Sequence, residues 1–582
     1  MVYAAQGDKV PDNKDAGVLF KEKSWDSVMS TALTKYIMFE GHSVFTEVQL
    51  AKGADIQTHS HAYRSLLRAA IQELGENDAD ERKVVALYEL VWSFCEVLFI
   101  EHLPGGCVLP YLLELIRWHF PHPNTLLEEV ISLEDPVDHP KYWDTVLSLL
   151  FQGQMNEAAL LLKNNPSGKI LVQLIEEMPL LQNFGGHSLS EFKILWSSWQ
   201  QICKQQAESG SIVCPESLDV LGVLCGDITV LSKHKNLCQT WYHLMTTALL
   251  YTMPTVTVAT LHHHAKDMIN IFDQDQTALD EILLSAMEFD AYGVLTKCMT
   301  HFSNDWWLVA HLADLLEHSG QLDKTELQYG CSLREYLILQ YASDIIFNND
   351  LWSLAIDYFI ECPKLGRDYL REAIPRIPLE TQKKALRVWS VCDKHGLQES
   401  SECVCRVMVA NAMQNKQLGL ALMWSLRAKD IGSVTAISEK ILDNYVETSG
   451  FSNLDFLDQL GSHKLISKRL MFLGKYREFH QLYKTGNLMD AAELLVSLVG
   501  SNLGPPRFQI TLLLDSLPLV GNIEKNYINS EQTETLLKGI EDIHLNKHLK
   551  AEDKSKIETI RLALITNLAH TYLNEPWDDV DR

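Results

Sequence analysis

The sequence predicts an all-α chain, on three observations. Apolar residues recur at helical spacing along nearly the whole length, as in LLEEVISL, LVQLIEEM, YLILQYASDII and LRVWSVCDK. Alternating runs of β-branched residues are rare. The breaks between helical stretches are short and regular: PGG at 104–106, HPNT at 122–125, NNPSG at 164–168, ECP at 361–363 and GPP at 504–506. No long linker divides the chain.

Only the first fifty residues read differently. Val18, Leu19 and Phe20 in AGVLFK, and SVFTEVQL from Ser43 to Leu50, fit short strands flanking a helix that should begin near Ser24. Beyond them a weak repeat points to stacked helical hairpins. A Gly or Asn suited to the left-handed position after a helix is followed six residues later by a small Ala, where two helices would approach closely. The copies are Gly153 with Ala159, Asn349 with Ala355, Asn415 with Ala421, and Gly486 with Ala492. Their intervals are irregular, which fits an irregular α-solenoid better than a strict repeat protein.

At 582 residues the chain exceeds one ordinary core, and 46% hydrophobic with 22% charged residues marks it as a folding, not a disordered, sequence. The net charge of −26 disfavours binding to a phosphate backbone or to anionic lipid. The twelve cysteines include one close pair, Cys403 and Cys405, with no second pair or histidine at zinc spacing, so reduced and mostly buried thiols are expected. MVYAAQGDKVPDNKD lacks the pattern of a secretory signal, and nucleus or cytoplasm is the expected compartment. The uncharged stretch from Asn236 to Ala265 is rich in Thr, Gln and His and broken by Pro254, which argues against a membrane span. In VVALYELVWSFCEVLFI at 84–100, Glu89 and Glu96 lie two turns apart on one face, so a mostly buried helix of a soluble protein is expected.

Candidate chemistry is sparse. The chain has no phosphate-binding loop, no dinucleotide fingerprint, no nucleophile elbow and no HExxH helix. Asp578, Asp579 and Asp581 read as an acidic tail. His262 to His264 point about 100° apart on a helix and cannot share one ion; His59 with His61 is the other histidine pair weighed. Trp306 and Trp307 precede Leu308, Ala310, Leu312 and Leu315 at core spacing. Cys403 and Cys405 lie about 200° apart on a helix, a surface and core pair. No catalytic residue, metal ligand or cofactor is expected.

Seven strings then carry a family resemblance: LVWSFCEVLFIE (90–101), WYHLMTTALLYTMPTV (241–256), DWWLVAHLADLLEH (305–318), IDYFIECPKLGR (356–367), RIPLETQKKALRV (376–388), ALMWSLRAKD (421–430) and FLGKYREFHQLY (472–483). In order and over roughly 60–580, they resemble the nucleoporin eighty-five family, an arm component of the Y-shaped nuclear pore scaffold. The resemblance implies an irregular α-solenoid of the ancestral coatomer type, folded back into crown and trunk modules and ending in a helical tail. It implies a structural, non-enzymatic role in the pore's outer ring, on which mRNA export and protein import depend through pore assembly. The implied places are the nuclear envelope, the pore complex and, in mitosis, the kinetochore.

The expected division is an N-terminal segment at 1–50, a crown and trunk at 51–470 and a hub-facing tail at 471–582. By the resemblance, Val18, Leu19 and Phe20 belong to a blade completing a WD-repeat β-propeller partner by strand addition. Phe508, Leu512 and Leu513 belong to the tail that meets other Y-complex nucleoporins. Only about twenty residues precede the helix expected near Ser24, so the earlier strands of a full blade have no counterpart as the chain is written. Phe184 and Gly185 form the one Phe-Gly dipeptide, so this is a frame protein and not a barrier nucleoporin. The alternatives are a related helical subunit of a vesicle or lysosomal coat and an all-α enzyme, the latter requiring a deep polar pocket.

Overall fold

In a computed structural model of the chain, the structure describes residues 31–574 apart from short internal segments, the longest of which is 449–464, and every regular element among them is a helix. The one strand-like pairing among the described residues is an isolated bridge between Cys107 and Thr257. Val18 to Phe20, the start expected near Ser24 and the acidic tail lie outside the described residues.

The strand expected at Ser43–Leu50 is instead the second half of the helix Thr31–Ala51. Its β-branched content suggests a strand, but tertiary packing decides: Leu33, Ile37, Gly41, Phe45 and Val48 recur at three- and four-residue steps and are buried. Gly41 lies on this helix where a Cβ would come 2.8 Å from Trp307 Nε1, so the missing side chain lets two helices meet.

The chain forms two compact units, Met1–Leu370 and Arg371–Arg582. In the first, the path turns back on itself. Trp306–His318 packs on Thr31–Ala51 and Ile56–Glu73; Ala278–Met287 packs on Ala79–Cys95; Trp241–Thr252 packs on Leu109–His119 and Tyr142–Phe151; Lys169–Glu176 meets Pro215–Leu224 near the bend. The returning helices are covered almost all round, with every residue of 241–251 and of 307–316 buried. Helices apolar on all faces suit that interior position.

The second unit proceeds by neighbours. Gln382–Lys394, Gln398–Gln414, Leu418–Arg427, Ile431–Thr448, Lys468–Lys484 and Leu488–Gly500 each pack on the next. The terminal helix Ala551–Asn574 then covers Gln509–Leu514, Leu517–Val520 and Ser530–His544. One hydrophobic core runs from Ala412 in Gln398–Gln414 to Leu564 in the terminal helix.

A recurrent turn links the hairpins. At Gly153, Gly226, Phe289, Gly320, Gly396, Lys416, Lys429 and Gly486 the backbone is left-handed, and the next amide donates to a carbonyl five residues back, as from Gln154 to Leu149 and from Asn487 to Leu482. This is the Schellman closure of a helix C-terminus. Gly153 and Gly486 take the positions expected of them, and Ala159, Ala355, Ala421 and Ala492 are all buried. At the third copy the left-handed residue is Lys416, not Asn415, whose φ is −81°. Asn349 lies outside the described residues.

Candidate interaction sites

Two helices of the first unit carry a ladder of charge. Ile56–Glu73 presents Gln57, His61, Arg64 and Arg68 along one face, and Ala79–Cys95 with its π-helical continuation Glu96–Ile100 presents Glu89, Glu96 and Glu101. Arg68 Nε lies 2.6 Å from Glu89 Oε1, Arg64 Nη1 2.6 Å from Glu96 Oε1, and His61 Nε2 2.7 Å from Glu101 Oε1. Gln57 donates to Glu101, and Ser60 and Ser93 donate to Glu96 and Glu89 at 2.5 and 2.9 Å. His119 Nε2 completes the set, 2.6 Å from Glu89 Oε2.

Burial pushes the Glu89 carboxyl up, and His119 with Arg68 more than reverses this, leaving it below the usual range. At Glu96 burial wins over Ser60, Arg64 and His61, and the carboxyl rises. Glu89 and Glu96 do share a face, as their spacing requires, and both are fully buried. His61, Glu96 and Glu101 bring three donor atoms within 4.8 Å of one another. The Arg64 guanidinium already occupies the Glu96 oxygen that would face a cation, so this cluster reads as an ion-pair ladder.

A second polar centre joins the first helix to the returning ones. Arg334 Nε lies 2.6 Å from Asp314 Oδ1, Gln49 Nε2 donates to both Asp314 oxygens at 3.0 and 2.9 Å, and Arg334 Nη2 donates to Gln49 Oε1 at 3.1 Å. Around it Phe45, Tyr63, Trp307, Tyr341 and Tyr358 enclose His311, whose ring nitrogens meet Trp307 O at 2.7 Å and Tyr358 Oη at 2.8 Å, and Trp92 packs behind Tyr63 and Trp307. Burial lowers His311 to about 3, so the ring is neutral. Trp307 is a core residue and Trp306 half-buried.

The other sequence candidates read as structure. His263 is exposed, with His262 and His264 half-buried on the same helix. All twelve cysteines are free; Cys405 is buried and Cys403 half-buried. A hollow of about 30 Å³, room for one or two waters, is bordered by Leu109, Leu113, Gly153, Trp196 and Leu250. Arg117 at its edge spends its donors on the carbonyls of Gln152 and Gly153, both at 2.8 Å. No helix among the described residues is long and apolar enough to cross a membrane.

In the tail, Phe508, Leu512 and Leu513 are buried in the second unit's core. A residue's recurrence at helical spacing shows which face it shares and not whether that face turns in or out. The helix Ala551–Asn574 supplies what the sequence reading missed: two apolar faces. Ile557, Ile560 and Leu564 are buried, whereas Leu562, Ile565, Ala569, Tyr572 and Leu573 form an exposed stripe at i, i+3, i+7, i+10 and i+11. The second stripe was readable, but one sequence does not say which of two apolar faces is left uncovered.

A family model described as Nup85 nucleoporin matches residues 15–542. A Xenopus laevis protein named nuclear pore complex protein Nup85 is 36% identical, over 96% of this chain and 91% of its own length. Its Homo sapiens namesake is 34% identical over 92% of this chain and 88% of its own. Drosophila melanogaster nuclear pore complex protein Nup75 is 28% identical over 87% and 80%.

Proposed function

The chain belongs to the Nup85 nucleoporin family, and from that premise we propose where its partners bind. As a member it is a scaffold component of the nuclear pore complex at the nuclear envelope, structural and not enzymatic, working alongside other nucleoporins in nucleocytoplasmic transport. In our reading it sits in the Y-shaped assembly of the outer ring, and export of mRNA and import of protein depend on it through pore assembly. Its mechanism is geometric: packed helices present partner surfaces along the chain.

The tail, 471–582, meets other Y-complex nucleoporins in this reading. The observation that carries it is the exposed apolar stripe of Ala551–Asn574. Leu562, Ile565, Tyr572 and Leu573 together are the kind of continuous apolar surface that a soluble chain keeps for a partner. Phe508, Leu512 and Leu513 serve it from inside, since Gln509–Leu514 packs directly beneath this helix. A charge at Leu512 would therefore act on the fold, and the outer stripe is the place to test binding. The N-terminal segment, 1–50, takes a WD-repeat β-propeller, with Val18, Leu19 and Phe20 adding a strand to its open edge.

The test is co-purification from cells of the tagged full chain carrying Leu562→Glu and Ile565→Glu. Stability should change by less than about 0.5 kcal/mol at such exposed sites. Tail partners should be lost while the propeller partner stays. Loss of both partners, or of neither, would contradict the assignment.

A further inference from the structure

The helix Thr31–Ala51 has two apolar sides. Its inner side, with Ile37, Gly41, Phe45 and Val48, is buried, packed on Ile56–Glu73 and on the returning Trp306–His318. On the opposite side Tyr36, Phe39, Ser43 and Leu50 fall at i, i+3, i+7 and i+14, one line about 21 Å long on the helix surface. This side is open: Tyr36 is 37%, Phe39 44% and Leu50 79% exposed. Ser43, at the middle of the line, is exposed as well and small enough to let a second helix cross closely.

The two flanks of that line differ in charge. On one, Lys35, His42 and Gln49 follow at seven-residue steps and are spent on the returning part of the chain: Lys35 pairs with Asp350, His42 Nε2 lies 3.1 Å from Asp357 Oδ2, and Gln49 donates to Asp314. On the other, Glu40 and Glu47 are exposed and form no ion pair among the described residues. The surrounding unit has the same sign. Met1–Leu370 holds 49 Asp and Glu against 24 Lys and Arg, whereas Arg371–Arg582 holds 27 against 26. A second copy of this unit, or an anionic bilayer, would bring like charge to the face, and a cationic partner is attracted to it.

We propose that the outer face of Thr31–Ala51 is a docking surface for a cationic amphipathic helix of a partner protein. Apolar side chains of that helix, at three- and four-residue steps, cover Tyr36, Phe39 and Leu50, and its lysines or arginines pair with Glu40 and Glu47. This goes beyond the strand addition proposed for Val18, Leu19 and Phe20, which works through main-chain pairing earlier in the sequence.

The experiment is fluorescence anisotropy of a labelled amphipathic helical peptide of leucine, alanine and lysine, titrated with the full-length chain. Saturable, salt-sensitive binding is expected, weakened by about tenfold or more in Phe39→Ser with Leu50→Ser. Glu40→Lys with Glu47→Lys should weaken it as well, and neither pair of exposed substitutions should change the circular dichroism spectrum. No saturable binding, equal binding by either variant, or equal binding of a peptide of the same composition without helical periodicity would overturn the proposal. So would loss of the propeller partner on co-purification of Phe39→Ser with Leu50→Ser, or a dimer of the full-length chain that this variant abolishes, since each would give the face to a different occupant.

Discussion

The two units solve the same packing problem with different chemistry. The first closes by contacts between helices nearly three hundred residues apart, such as Gln49 with Arg334, and its interior holds the charged residues Glu89, Glu96, Asp314, Arg334 and Glu335. The second stacks sequential hairpins, and its buried polar residues among those described are neutral: Ser400, Ser425, Ser438, Ser467, Ser516, Thr533, Asn567 and Thr571. A hairpin packed on its neighbour needs no label, because chain connectivity sets its partner. A helix returning from far along the chain can slide, and buried ion pairs with fixed partners penalise every register but one. Such pairs add little net stability and are costly to break.

Breaking one should therefore separate the units most sharply. Asp314→Ala strands the buried Arg334 and is expected to cost about 3–5 kcal/mol. Amide exchange should rise across Thr31–Ala51, Trp306–His318 and Leu333–Ile345, with the second unit unchanged. Equal loosening of both units would show that the distinction is not energetic.

Acid should sharpen the same contrast by a smaller amount. Burial lowers His311 to about 3 and His243 to about 4 in the first unit, and His480 to about 4 in the second, from 6.5. Below about 6.5 the unfolded chain takes up protons that these folded imidazoles refuse, so stability falls as pH drops toward about 4. Each group contributes up to about 1.4 kcal/mol per pH unit. The raised Glu96 carboxyl works in the opposite direction. Amide exchange at pH 6.5 and at pH 5 should show a larger loss in the first unit, and His311→Gln should reduce it. A larger loss in the second unit would sink this reading.

The smallest effect belongs to the second unit's turns. Gly486 has φ +81° with open space around its Cβ position, so the cost of Gly486→Val is backbone strain alone, about 1 kcal/mol or more. Local exchange at Lys468–Gly500 should rise. An unchanged melting temperature would mean that the turn tolerates a β-branched residue.

Particular residues show how far the sequence could be read. Helical periodicity, the shared face of Glu89 and Glu96, the core place of Trp307 and the split of Cys403 from Cys405 all follow from local spacing. The helix over Ser43–Leu50 was hidden because Val44, Thr46 and Val48 favour strands, and packing against Ile56–Glu73 and the distant Trp306–His318 overrides them. The hairpin repeat looked weak because the left-handed turn is conserved in backbone and not in residue, with Phe289, Lys416 and Lys429 standing where others carry Gly. Of the tail residues, Leu512 and Leu513 were legible as apolar and helical, but their inward direction depends on Ala551–Asn574 arriving later in the chain.

As a structural part of the nuclear pore, the fluorescently tagged full chain imaged in live cells should give a punctate nuclear rim, weakened when Leu562→Glu and Ile565→Glu are introduced. Vesicular, lysosomal or diffuse signal from the unmutated chain would contradict that role.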